Sequence, residues 1–207
     1  LNYLAHRVEE REVAAPQPTK PDDVLFRVLE VGICGTDRDL AAFRLRFPAP
    51  RDGYLVLGHE CLAEVVASGP GASEFRVGDI VTPLVRRACR PACTWCARGR
   101  RDLCASGKYT ERGIVGEHGY FTEMVVDRAE DLVPVPFRLK GYAVLMEPLS
   151  VVEKAVASGL RLGVDRPESL DEIFDTALRL EPANVNTHVD AIQAAIFNAD
   201  EVRARVR

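Results

Sequence analysis

Four of the six cysteines in this 207-residue chain fall in one stretch, CRPACTWCARGRRDLC, at Cys89, Cys93, Cys96 and Cys104, spaced C-x3-C-x2-C-x7-C. Clustering of this kind forces a choice among disulfides, a redox pair, buried free thiols and metal ligands. No apolar run reaches roughly 18 residues, the length of a membrane span, and no charged-then-apolar leader is present, so a cytoplasmic site is the expectation. In that reducing compartment clustered cysteines hold metal more often than they form disulfides. Four thiolates on one short loop can surround a zinc ion tetrahedrally at about 2.3 Å and organise a segment that has little core of its own. Four protein ligands leave no open position, so this zinc is expected to be structural and to bind no substrate. Buried thiols and a redox CxxC pair stay open as the other readings.

The cysteine loop lies within a run of short strands. Residues 24–33 (VLFRVLEVGI), 61–69 (CLAEVVASG), 78–85 (GDIVTPLV), 119–127 (GYFTEMVVD) and 130–136 (EDLVPVP) carry β-branched residues in partial alternation, separated by Gly, Pro and Asp turns. This spacing predicts a compact, mainly β, largely antiparallel barrel or sandwich. GPGASE (69–74) reads as a turn between two of the strands. A short helix is predicted at 36–43, with Thr36 as N-cap and Asp37 and Asp39 in its first turn. Because 47% of residues are apolar and 28% charged, the chain can bury a real core of one domain or one and a half. A net charge of −4, with no block of Lys or Arg long enough to follow a phosphate backbone, argues against nucleic acid as a partner. Arg98, Arg100 and Arg101 read as a solvated loop.

After about residue 140 the pattern becomes helical. In residues 143–156 (AVLMEPLSVVEKAV), Leu145, Leu149, Val152 and Val156 fall on one helical face. Ser169 and Glu172 form a capping box ahead of a second helix running to about Leu180, and Pro182 stops it. A third helix is predicted from Val189 to Val206. The sequence opens at Leu1 on a polar stretch without an initiator methionine, which predicts a missing N-terminal strand.

If the four-cysteine loop is closed, reactive chemistry must come from elsewhere. Cys34 in GICGTD, the His59–Glu60 pair in LGHE and Glu147 in MEPLS remain. A thiolate, an imidazole and a carboxylate from separate segments would leave a zinc ion a fourth position for water or a substrate oxygen. Cys34 precedes a predicted helix start, where the dipole favours its thiolate. A lone cysteine at an apolar strand end is also a common core residue, and Cys61 has only that reading.

GICGTD, LGHE, GDIVTPLVRR, the cysteine loop, ERGIVGEHGYFTEMVV and MEPLSVVEKA follow one another over about residues 20–156. In that order they resemble the zinc-dependent medium-chain dehydrogenase/reductases, and most of all their archaeal-type glucose dehydrogenase branch. The resemblance implies a GroES-like, partly open β-barrel with short helices. It implies that Cys34, His59 and Glu60 or Glu147 bind a catalytic zinc, the two glutamates exchanging as ligands. Thr36 matches the hydroxyl residue beside the substrate, and Glu111 matches a sugar-contacting carboxylate. Two zinc ions per chain, with NAD or NADP as hydride acceptor and an alcohol or sugar as substrate, complete the expectation. Glu111 reads equally as a solvated loop charge.

The sequence departs from that family in two places. Between the first two loop cysteines x3 replaces x2, which sets Cys89 apart. Beyond residue 156 the sequence has no hydrophobic strand leading into G-x-G-x-x-G; Gly159 and Gly163 are wrongly spaced, and no acidic residue follows for the ribose. About 50 residues remain there, so the expectation is a zinc-binding catalytic domain at 1–156, a helical C-terminal tail at 157–207, and no Rossmann domain. The tail segment 183–195 (ANVNTHVDAIQAA) is similar to a glucose dehydrogenase segment in which the residue matching Asn186 lies near substrate and nicotinamide. Asn186 or Thr187 as a helix N-cap is the other reading, and His188 reads as a surface or core residue.

Three functions fit. One is the catalytic zinc domain of a glucose-dehydrogenase-like enzyme, present as a fragment or truncated form and inactive alone. It would work as a homo-oligomer or with a partner supplying the Rossmann domain. Another is a non-catalytic zinc module with a helical partner-binding tail. Last comes a zinc-dependent lyase or hydrolase using Glu60 or Glu147 as base.

Overall fold

The computed structural model describes residues 1–161, apart from 49, 51 and 52, with side chains to residue 155. The helices expected at 169–180 and 189–206, Asn186 and His188 lie outside the described residues. The chain divides after Glu147. Every described strand lies in the first unit, Leu1–Glu147.

The fold of this unit is mainly β with a few short helices. Strands β1 (Asp23–Gly32), β2 (Glu60–Ser68), β3 (Ile80–Pro83), β7 (Met124–Arg128) and β8 (Leu132–Val135) form an open sheet in the order β7-β1-β2-β3-β8. All its pairings are antiparallel. A small second sheet joins β4 (Arg86–Arg87), β5 (Thr110–Arg112) and β6 (Gly116–Glu117), and its β5–β6 pair is parallel. Helices α1 (Gly35–Ala41), α2 (Thr94–Ala97) and α3 (Met146–Arg161) and four short 3-10 turns complete the described elements.

The strand bounds differ from the expected ones where backbone geometry overrides residue type. Residues 119–123 are a turn instead of the start of β7. Gly119 is there because a Cβ would lie 2.1 Å from the Gly58 carbonyl oxygen. Residues 78–79 likewise form the turn into β3.

Side chains pack on both faces of the main sheet. Val24, Phe26, Cys61, Ala63, Val65, Val81, Tyr120 and Val125 form the principal core. Cys61 thus occupies the core position expected of it, and burial raises its thiol to about 12. On the opposite face Leu62, Ile80, Val135 and Ala143 are buried, with Leu29, Val144 and Met146 against them. A third cluster, Leu1, Leu40, Leu55 and Leu57, seats α1.

The helix expected over 143–156 begins as a 3-10 turn at Ala143–Leu145 and becomes α-helical at Met146. A 3-10 turn advances about 120° per residue against about 100° for an α-helix, which changes the phase. Ala143, Val144 and Met146 face the sheet, and Leu145 is exposed.

The cysteine lobe is docked by ion pairs. Arg101 pairs with the buried Asp131, and Arg87, itself buried, reaches Asp127 at 2.5 Å and Asp131 at 3.1 Å. Arg101 is therefore no solvated loop charge, contrary to expectation. Arg100 does stay at the surface, paired with Asp102 at 3.0 Å. Among the described residues no helix is long and apolar enough to cross a membrane.

Candidate functional site

The site begins with strand register. β1 and β2 pair antiparallel with Gly32 opposite Glu60, so the residues just beyond that pair, Cys34 on one strand's exit and His59 on the other's entry, are neighbours. Cys34 Sγ lies 3.1 Å from His59 Nε2. Cys34, not Thr36 as expected, is the N-cap of α1. Its sulfur accepts from the Thr36 backbone N–H at 3.2 Å, and its own N–H donates to Asp37 Oδ2 at 3.0 Å. The helix N-terminus therefore supplies an N–H directly to the sulfur and fixes its position. Thr36 stands half-buried in the next turn position.

Asp37 ties the arrangement together. Its Oδ1 accepts from the Gly58 N–H at 3.1 Å and lies 3.4 Å from His59 Nδ1, close enough for an ion pair but without hydrogen-bond geometry, so the buried Nδ1 has no hydrogen-bond partner among the described residues. His59 is buried. Burial opposes charge on the imidazole, but Asp37 and Cys34 outweigh it and raise the pKa to about 11. With Nδ1 turned to a carboxylate, Nε2 is left for a ligand, the arrangement usual for histidines that bind metal.

Two carboxylates converge from the other side. Donor atoms of His59, Glu60 and Glu147 lie within 4.8 Å of one another, as do those of Cys34, Asp37 and His59. Glu147 arrives there because Met146 and the preceding 3-10 turn pack on the sheet beside Leu62. Glu60 folds over Gly32, where a Cβ would stand 2.0 Å from its Oε2. Burial raises the pKa of both acids. Glu147 reaches about 7, with the charges of Glu60, Glu111 and Asp37 adding to the effect and His59 opposing it. A sulfur, an imidazole and several mutually repelling carboxylates in a buried space form a donor set that fits a zinc ion.

Glu111 stands on β5, and the turn after it presses on the same region. A Cβ on Gly113 would lie 2.3 Å from the Gly58 carbonyl oxygen, so only glycine lets this turn approach the strand end that bears His59.

The four loop cysteines also meet, with sulfurs within 4.8 Å of one another. Cys89, which the extra residue had set apart, is buried, and its Sγ accepts from the Cys93 N–H at 3.1 Å. The backbone N–H of Cys96 favours the Cys93 thiolate and lowers its pKa to about 6. Cys96 moves the other way. Although the Cys89 N–H favours its thiolate, burial and the neighbouring thiols push it up to about 12. Crowded sulfurs that cannot all ionise alone are what a divalent cation relieves.

Residues 20–137 match the alcohol dehydrogenase GroES-like domain. The chain belongs to this family. Glucose 1-dehydrogenase of Methanocella arvoryzae is 42% identical to it over 151 residues, 73% of this chain and 42% of that protein. Glucose 1-dehydrogenase 1 of Vulcanisaeta moutnovskia is 45% identical over 159 residues, covering 77% and 44%. A solved relative, Haloferax mediterranei glucose dehydrogenase in complex with NADP, Zn and gluconolactone, superposes with a TM-score of 0.66 at 36% identity, covering 73% of this chain and 42% of that one. The chain thus spans less than half the length of these dehydrogenases. In this GroES-like unit, Asp37 reads from the sequence only as a first-turn acid, and Arg86 only as part of the GDIVTPLVRR motif, without a role of its own. Asp37 was within reach as the carboxylate three residues after Cys34. The pairing of Arg86 with Glu111 carried no signal, since the two are 25 residues apart in sequence.

Proposed function

We propose that this chain is the catalytic zinc domain of an NAD(P)-dependent alcohol or sugar dehydrogenase acting on a glucose-like substrate. The nicotinamide would be held by a fold outside the described residues, on the same protein or on a partner. The observation that carries this reading is the pairing of Cys34 Sγ and His59 Nε2 at 3.1 Å beside the Glu60 and Glu147 carboxylates. In this reading Cys34, His59 and one of the two glutamates hold a catalytic zinc, and Cys89, Cys93, Cys96 and Cys104 hold a second, structural one. The catalytic ion would supply Lewis-acid polarisation of an alcohol oxygen.

The residues around it divide the remaining work. Asp37 orients the His59 ring, and the Thr36 N–H at the start of α1 holds the Cys34 sulfur in place. Thr36 relays the substrate hydroxyl proton, its oxygen accepting that proton as its own passes to solvent water. Glu60 and Glu147 provide two carboxylates for one ligand position, so that one can leave as the other binds. Glu111 accepts a hydrogen bond from another hydroxyl of the sugar. The packing of Gly113, two residues after Glu111, against Gly58 beside His59 supports this role.

D-glucose binding by the zinc-loaded chain, followed by saturation-transfer NMR, tests the assignment. Binding is expected in wild type and lost in Cys34→Ser. No binding in wild type, or undiminished binding in Cys34→Ser, would contradict it.

A further inference from the structure

Arg86 stands directly opposite Glu111 across the β4–β5 pair. Its Nε donates to Glu111 Oε1 at 2.7 Å, and the two side chains are 34% and 16% exposed. Partial desolvation of this kind strengthens a charge-assisted hydrogen bond relative to one in open water. Glu111 Oε2 accepts no hydrogen bond from the described residues. One oxygen of the carboxylate is therefore held and the other is available.

The arginine is fixed from several directions. Its guanidinium lies over the Tyr109 ring, 4.2 Å from the centroid. Its Nη1 donates to the Asp102 carbonyl at 3.5 Å, and its own carbonyl accepts from Arg101 Nη1 at 3.4 Å. Asp102 and Arg101 form the 3-10 turn that leads into Cys104, and Arg101 is paired with buried Asp131. The cysteine lobe thus forms a shelf for Arg86. A planar fork that stacks on a ring and donates from two edges sets the direction of a carboxylate in a way that a flexible ammonium does not.

Glu111 has its backbone fixed as well. Its N–H donates to the Val115 carbonyl at 2.9 Å, and its carbonyl accepts from Ile114 and Val115. This tight turn is the one that presses Gly113 on Gly58, beside His59.

We propose that Arg86 is a positioning residue for substrate selection: it holds Glu111 Oε1 so that Oε2 meets a second hydroxyl of a polyol whose first hydroxyl lies at Cys34 and His59. This rests on the sugar dehydrogenase reading above. It follows that Arg86 separates polyols from simple alcohols, because a site arranged to accept a hydroxyl loses most when that hydrogen bond is misdirected.

Binding of D-glucose and of cyclohexanol to the zinc-loaded chain, in wild type, Arg86→Met and Arg86→Lys, tests the proposal, together with the crystal structure of Arg86→Met. Cyclohexanol has one hydroxyl and nothing for Glu111 to accept. Arg86→Met should weaken D-glucose about tenfold or more, with Arg86→Lys between it and wild type. Cyclohexanol should stay within about twofold in both, and the Glu111 carboxylate should be turned away in the crystal. Equal weakening of both ligands, unchanged D-glucose binding, or an unmoved Glu111 would overturn it. Failure of wild type to bind D-glucose would overturn the sugar reading, and the position of Glu111 in Arg86→Met would then decide the role of Arg86 alone.

Discussion

His59 sits between Asp37 on Nδ1 and Cys34 on Nε2, and this places specific demands on single residues. Asp37→Asn should weaken zinc at this site about 10- to 100-fold, the usual effect of losing a carboxylate behind a ligating histidine, when measured by chelator competition. A change of less than about threefold would remove Asp37 from this role. Protons must also leave before a cation binds. Glu147 titrates near 7 and His59 near 11, so at pH 6 both hold protons, and at pH 8 Glu147 has largely lost its own. Zinc affinity of the site should therefore rise with pH from 6 to 8, more steeply below 7 than above it; a flat profile would contradict these positions. Cys34, His59, Glu60 and Glu147 were legible in the sequence because metal-binding chemistry uses few residue types in ordered motifs. Arg86 was not, since an arginine becomes informative only once its cross-strand partner is known.

Among the elements, long strands announced themselves and short ones did not. β1 and β2 are runs of β-branched and apolar residues, read to within one residue of their observed bounds. β4 and β6 have two residues each, too few to show any periodicity. The 3-10 start of the helix after Tyr142 was equally hidden, because it shifts phase without changing residue type. Docking of the cysteine lobe rests on Asp131, whose ionisation burial opposes and Arg87 and Arg101 favour, the arginines holding its pKa below the usual carboxylate range. With a folded pKa lower than the unfolded one, its contribution is complete above about pH 4 and disappears as pH falls through the folded value. Asp131→Asn should cost about 3 kcal/mol of unfolding free energy at pH 7, as expected when one partner of a buried pair is removed. The gap from wild type should narrow in denaturant titrations below pH 4. An equal gap at pH 7 and pH 3 would show that the carboxylate charge is not the cause.

At the scale of the whole molecule, the GroES-like unit should hold two metal centres of different kinds: a closed one of four sulfurs and an open one at the junction of β1 and β2. The cysteine spacing and the six ordered motifs made both groups of donor residues legible, and these do converge, whereas their surroundings at Asp37, Asp131 and Arg86 depended on contacts across the fold. The two centres should also separate by mutation, since they share no ligand. The most direct test is the zinc content of the purified chain, measured by atomic emission against protein concentration. Two zinc ions per chain are expected, and one in Cys34→Ser. One zinc or none in the wild-type chain would contradict this.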